Sequence, residues 1–356
     1  MKKKVYLTLQ NGVVFQGYRF GADGDVLGEL VFSTNMVGYI ETLTAPSNIG
    51  KIIVQTFPLI GNYGIINADA ESEKVWPTAF VVREVCEIPS NFRSEGDLDG
   101  YLSANGVVGV YGIDTRYLTK ILREEGAMNA YITSSPLTKE QLDALSRHQA
   151  KDALSAVAVK ESKTYECENA KGTLALLNLG TKRSLIQDIA NQGYRVISMP
   201  TYATAEEILS VNPDGIVIGD GPEDVEGCQS VVAEIKKLLG KKPMLGIGFG
   251  HELMALSFGG KVSKQKYGHR GGNQPVKDVQ TGKVYITTQN HDYVVETIAQ
   301  GEICFVNVND NSCEGIVYEK VNALGVQFEP ASCGVGHTEN VVYDKFFKMV
   351  KENANA

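Results

Sequence analysis

Pro243-Met-Leu-Gly-Ile-Gly-Phe-Gly-His-Glu-Leu-Met254 reads as a buried strand, a sharp turn and a helix. In such an elbow the apical residue is driven to positive φ, and its side chain stands above the sheet beside the amides that open the helix, the usual seat of a nucleophile. Here the apex is Gly248, which relieves the strain and has no side chain with which to attack.

Outward from the elbow, strand and helix patterns alternate with short connections. Strands are expected at 173–178, 195–198, 215–218, 284–287 and 323–327, and helices at 182–192, 205–211, 231–239 and 252–258. That alternation indicates a mainly parallel sheet wrapped by right-handed crossovers, with any ligand at the carboxyl ends of the strands, where Gly219, Gly248 and Phe328 fall. Between Asp152 and Lys171 periodicity fades into polar residues around Glu161-Ser-Lys-Thr164, a linker with one short strand.

Before the linker the pattern changes. Short β-type runs at 4–9 and 13–19 flank Asn11-Gly12, a strong hairpin signal, and further strands are expected at 29–33, 52–56 and 79–85. Helical periodicity covers 97–105, 115–125 with Gly126 as its stop, and 139–145. The chain therefore divides into a mixed α+β domain over 1–150, a linker over 151–171 and an α/β domain over 172–352.

A length of 356 residues suits two domains, and 43% hydrophobic with 21% charged residues is a globular composition. The net charge of −8, with no Lys/Arg block beyond Lys2-Lys-Lys4, argues against nucleic acid as a partner. No apolar run approaches a membrane span, and Tyr6-Leu-Thr-Leu-Gln-Asn-Gly12 is a strand and turn, not a targeting core. Six irregularly spaced cysteines without a CxxC pair favour reduced thiols in the cytoplasm over disulfides or zinc. Gly246-Ile-Gly-Phe-Gly250 is not a dinucleotide fingerprint, because the third glycine would fall on His251 and no acidic ribose partner follows.

Several long runs carry a family resemblance. They are Gly28-Glu-Leu-Val-Phe-Ser-Thr-Asn-Met-Val-Gly-Tyr39, Pro46-Ser47, Ser90-Asn-Phe-Arg93 and Gly112 to Gly126, then Gly219-Asp-Gly-Pro222, the elbow, Gly268 to Val276, Gln289-Asn-His-Asp-Tyr293 and Val326-Gln-Phe-Glu-Pro330. Across nearly its whole length the chain resembles the small, glutamine-hydrolysing subunit of carbamoyl-phosphate synthetase. The resemblance implies a docking domain followed by a flavodoxin-like class I glutamine amidotransferase domain, a large-subunit partner that holds ATP and magnesium, no cofactor or metal in this chain, and a role in pyrimidine and arginine synthesis.

It also implies a Cys-His-Glu triad, in which a thiolate attacks the glutamine amide and a carboxylate-oriented imidazole moves the proton. Those three positions hold Gly248, Glu329 and Ala331, since the usual Gln-Phe-His-Pro-Glu-Ala stands here as Gln327-Phe-Glu-Pro-Ala-Ser332. The resemblance places Ser47, Gly219, Gly221, Phe249, Glu252, Asn290, Asp292 and Tyr293 around bound glutamine, with the Gly221 and Phe249 amides at the oxyanion position. Glu252 replaces a glutamine there, while Asp292 and Glu223 replace glycines. Like charges so placed raise one another's pKa or recruit a cation, ammonium included.

The expectation is a glutaminase-deficient chain with an architectural, regulatory or ammonia-passing role. Two rivals stay open: an active glutaminase with a displaced nucleophile such as Cys333, with His251 as a second displaced group, and a ligand-binding sensor independent of the synthetase. Glu252, Asp292 and Glu329 could offer hard oxygens to magnesium or calcium, against a plainer reading as drift in a pocket released from catalysis. Ser47 and Asn290 favour retained glutamine binding, whereas Glu252 and Asp292 oppose it.

Overall fold

Gly12 at φ +88° closes the turn between strands Lys4–Leu9 and Val14–Gly21, as the Asn-Gly pair predicts. The computed structural model describes residues 3–149, 152–331 and 340–354. It divides into two compact units, Met1–Lys151 and Asp152–Ala356.

In the first unit seven strands form a closed barrel, in the order Lys4–Leu9, Val14–Gly21, Val108–Tyr111, Ala79–Val81, Lys51–Gln55, Val26–Ser33 and Met128–Thr133. The ring closes by antiparallel pairing of the first strand with the last, Leu7 opposite Ile132. Closure follows from alternation, because Val5, Leu7, Leu9, Leu30, Ile52, Val54, Val110 and Ile132 all turn fully inward. The expected strand over 79–85 is broken into Ala79–Val81 and Glu84–Val85, the second piece pairing outside the barrel with Leu59–Ile60. Helices Leu98–Ala104 and Thr115–Glu125 start where Asp97 and Asp114 accept the Gly100 and Tyr117 amides at 2.7 and 3.0 Å. Gly126 then ends the second at φ +106°.

The second unit holds a ten-stranded sheet. Its parallel centre, Arg195–Met199, Thr173–Leu177, Gly215–Ile218, Met244–Ile247 and Ala323–Val326, is flanked by antiparallel strands. Alternate residues of the central strands enter opposite cores. Leu174, Leu176, Val217, Leu245 and Leu324 face helices Arg183–Asn191 and Val341–Ala354, while Ala175, Leu177, Ile216 and Ile218 face Ala205–Ser210, Gln229–Leu238 and Phe249–Ser257. Each fully buried Leu or Ile contributes about 1.5–3 kcal/mol.

Residues 152–171, read as a linker, fold with this unit. They supply the helix Ala153–Val157, anchored by Leu154 in the core, and the edge strand Lys163–Tyr165. The strand expected at 284–287 runs over Val284–Thr297 and pairs with an 18-residue strand, Lys261–Asp278. Its second half lacks hydrophobic alternation because the buried Gln289, His291 and Asp292 are held by polar partners. Among the described residues no helix is long and apolar enough to cross a membrane.

Candidate functional site

The elbow has the expected backbone. Strand Met244–Ile247 gives way to Gly248 at φ +57° and ψ −120°, and helix Phe249–Ser257 begins at once. Small residues permit the close approach of helix to strand: a Cβ on Gly246 would lie 2.6 Å from the Met254 sulfur and 2.8 Å from the Gly250 carbonyl oxygen.

The space above Gly248 holds the carboxylate of Asp220. A Cβ built on Gly248 would lie 2.3 Å from Asp220 Oδ1 and 2.8 Å from its Cγ. Asp220 Oδ1 accepts the Phe249 N–H at 3.1 Å, and the neighbouring Gly221 amide also favours the charged form of this carboxylate. One of the two amides assigned to the oxyanion position, that of Phe249, is therefore taken by a side chain of the same chain. Thr181 Oγ1 donates to the Asp220 carbonyl at 3.0 Å and fixes the loop. Burial pushes the Asp220 carboxyl up to about 6, opposed by Lys182 and the two amides and aided by Glu329.

Glu329, which the resemblance places at the triad imidazole, forms an ion pair with Lys182, and its own N–H donates to the Thr288 carbonyl at 3.0 Å. Ala331, which the resemblance places at the triad carboxylate, has no polar side chain. Gly219 backs the loop: a Cβ there would lie 2.0 Å from Thr181 Oγ1.

A second group of acids lies further along the same helix. Glu252 is fully buried, and its Oε1 accepts from Gln327 Nε2 at 2.9 Å. Burial, followed by the charge of Glu223, raises its pKa well above the ordinary carboxylate value. Glu223 in turn accepts the Asp292 and Tyr293 amides at 2.5 and 3.0 Å. The buried Asp292 carboxylate is paired with Arg270, whose Nη1 donates to the Tyr267 carbonyl at 3.1 Å. Asn290 lies opposite Arg270 in the strand pairing, and Lys264 Nζ stands 6.0 Å from the centre of the Tyr293 ring.

Four residues of this arrangement escaped the reading of the sequence as site residues: Asp220, Lys182, Arg270 and Gln327. Each sat inside a segment already assigned to a motif or helix, but single residues carry no signal of who faces whom. Lys182 and Arg270 supply cations within the chain for Glu329 and Asp292. Glu252 is instead pushed towards its neutral form by burial and by the nearby Glu223. Ser47 belongs to the first unit, buried in the 3₁₀ turn Pro46–Asn48.

The acidic trio proposed for a hard cation does not converge. Among the described residues, the group whose ligand atoms lie within 4.8 Å of one another is His269, His291 and Glu314. Its atoms already have protein partners. Glu314 accepts from Gln289 and Asn307 at 2.9 Å each, His269 contacts Asp310 at 3.0 Å, and His291 contacts Gln289 and the Tyr293 carbonyl at 3.0 and 2.8 Å. Burial opposes charge on His269, but Asp310 and Glu314 outweigh it and lift the pKa to about 9. His251, offered as a second displaced group, is fully buried with no partner for either ring nitrogen among the described residues, and burial pushes it down to about 3. Cys333 lies outside the described residues. Burial pushes the Cys228, Cys304 and Cys313 thiols up to about 11, 12 and 12, away from nucleophilic thiolate.

Residues 7–132 match the family model of the carbamoyl-phosphate synthase small chain, CPSase domain, and residues 175–349 match that of glutamine amidotransferase class-I. The second unit is thus a class I glutamine amidotransferase domain in fold and sequence. Over 347 residues the chain is 43% identical to the carbamoyl phosphate synthase small chain of Clostridium perfringens, covering 97% of this chain and 99% of that one. It is 40% identical over 354 residues to the small chain of Fusobacterium nucleatum, covering 98% of each. With the pyrimidine-specific small chain of Bacillus subtilis it shares 38% over 356 residues, covering 99% and 96%. The chain belongs to the carbamoyl phosphate synthase small-chain family.

Proposed function

We propose that this small chain does not hydrolyse glutamine and serves an ATP-dependent large synthetase subunit as an architectural or regulatory partner that leaves free ammonia as the nitrogen source. The observation that carries this reading is at the elbow: Gly248 has no side chain, and the volume one would fill contains Asp220. The imidazole position supports it, since Glu329 is neutralised by Lys182 and offers no ring to move a proton. Loss of nucleophile and base together leaves only binding and oxyanion stabilisation, a fall on the order of a millionfold in the best-studied hydrolase case. Carbamoyl phosphate made by the assembled complex would enter pyrimidine and arginine synthesis.

The decisive assay uses this chain with its large subunit. Carbamoyl phosphate should form from ammonium and not from glutamine, and no glutamate should be released above a control lacking this chain. Glutamate release that depends on this chain overturns the proposal, and failure of the two chains to associate removes its architectural part.

A further inference from the structure

The loop that carries Asp220 is closely packed on both sides of it. Gly219 and Gly221 hold the loop against the preceding segment so closely that a Cβ on either would lie 2.0 Å from Thr181 Oγ1 or 2.1 Å from the Leu179 carbonyl oxygen. Asn178 Oδ1 accepts the Gly180 and Thr181 amides at 3.0 and 2.8 Å and stiffens that segment. The Asp220 carboxylate is set against the first amide of helix Phe249–Ser257, which donates to it at 3.1 Å, and its oxygen stands in the volume above Gly248. A helix start favours an anion, and here the anion is built into the chain.

We propose that Asp220 is a tethered occupant of this anion pocket, standing where a free carboxylate or the oxyanion of an amide substrate would sit, and that it closes the pocket to such ligands. The inference rests on the proposed function only in regarding the pocket as a former substrate site. Its physical content is separate. The carboxylate and a side chain on Gly248 compete for one volume, so a nucleophile at the apex requires the Asp220 side chain to move away. It also follows that removing the Asp220 side chain frees the Phe249 amide and the space beside it for a small carboxylate from solution.

Two measurements on the full chain test this. In the first, melting temperature is followed with rising sodium formate, using sodium chloride at equal ionic strength as the control. The Asp220→Gly protein should gain a few degrees in a saturable way, as a ligand that binds only the folded state requires. The unsubstituted protein should respond to the two salts alike. An Asp220→Gly protein equally indifferent to formate and chloride overturns the proposal.

The second measurement holds even where Asp220→Gly is poorly stable. Gly248→Cys is introduced into three backgrounds: unsubstituted, Asp220→Asn, which keeps the bulk, and Asp220→Gly, which removes it. Backbone strain at positive φ is common to all three, so differences report the collision. The loss in melting temperature should be similar in the first two and several degrees smaller in the third. The introduced thiol should also be alkylated by iodoacetamide at least tenfold faster there, read peptide by peptide. Equal losses and equal labelling in all backgrounds would sink the proposal. Neither result depends on glutamate release by the unsubstituted complex, so this inference and the proposed function fail separately.

Discussion

Gln327 Nε2 donates to Glu252 Oε1 at 2.9 Å, while burial and the nearby Glu223 push the Glu252 carboxyl towards its neutral form. The family resemblance places a glutamine at this position. A buried carboxyl kept neutral by burial and a neighbouring carboxylate is chemically close to that amide.

Glu252 therefore gives stability a definite pH dependence. Its pKa in the folded chain is raised above the ordinary 4.5, so its contribution is fully present below that value and is lost as pH rises through the folded-state value. Glu252→Gln keeps the hydrogen bonds and abolishes the titration. Thermal melts between about pH 5 and pH 9 should show the unsubstituted protein weakening towards alkali more than the variant. Parallel curves would show that Glu252 is ionised in the folded chain.

His251 and Gly325 should couple strongly. A Cβ on Gly325 would lie 2.4 Å from His251 Nδ1, so Gly325→Ala should cost about 1–3 kcal/mol through overpacking, and His251→Ala should remove most of that cost in the double variant. Denaturant unfolding of the four proteins supplies the cycle, and strict additivity would refute the contact. His251→Leu should also flatten the acid limb of stability. The ring is held neutral at about 3 against an ordinary 6.5, so its share is present above 6.5 and drains away as pH falls towards 3.

Arg270 and Asp292 are both almost wholly buried, so breaking the pair from one side should be costly. Arg270→Met leaves an uncompensated carboxylate and should destabilise by about 3–5 kcal/mol, while Arg270→Met with Asp292→Leu should recover a substantial part. Urea unfolding measures both. A double variant no more stable than Arg270→Met alone would mean that the guanidinium matters for something other than charge.

His269 should titrate far above an ordinary histidine. With its pKa lifted to about 9, its stabilisation is complete below 6.5 and fades as pH climbs through 9. Asp310→Asn removes one of the two acids responsible and should bring the titration down by at least one unit in proton NMR of the imidazole resonances. An unchanged midpoint would assign the elevation to Glu314 alone.

Elements with strong periodicity or clear punctuation were legible in the sequence. Thr115–Glu125 begins at Asp114 and stops at Gly126, and the Asn11-Gly12 hairpin lies between the strands expected on either side. Barrel closure was not legible, because Leu7 meeting Ile132 is a pairing across the whole unit that no local window contains. The long hairpin Lys261–Asp278 and Val284–Thr297 was hidden by its buried polar residues, which break the alternation a half-buried strand normally shows.

At the site, the absence of a side chain at the apex of the elbow was plain from Gly248 alone. The compensation was not. Lys182 reaching Glu329 and Arg270 reaching Asp292 are long-range ion pairs, and Asp220 in the space above Gly248 is a relation between two loops. Sequence showed which charges were present, and only the fold showed how they were cancelled.

The closed ring of the first unit also governs when that unit can be assembled. Its opening strand, Lys4–Leu9, is bordered on one flank by Val14–Gly21, available at once, and on the other by Met128–Thr133, which emerges from the ribosome only after the rest of the ring has been made. A nascent chain paused midway carries an open seam with bare backbone donors and acceptors. Completion is consequently a late, concerted event, and synthesis interrupted before Met128 yields a ring that cannot be sealed.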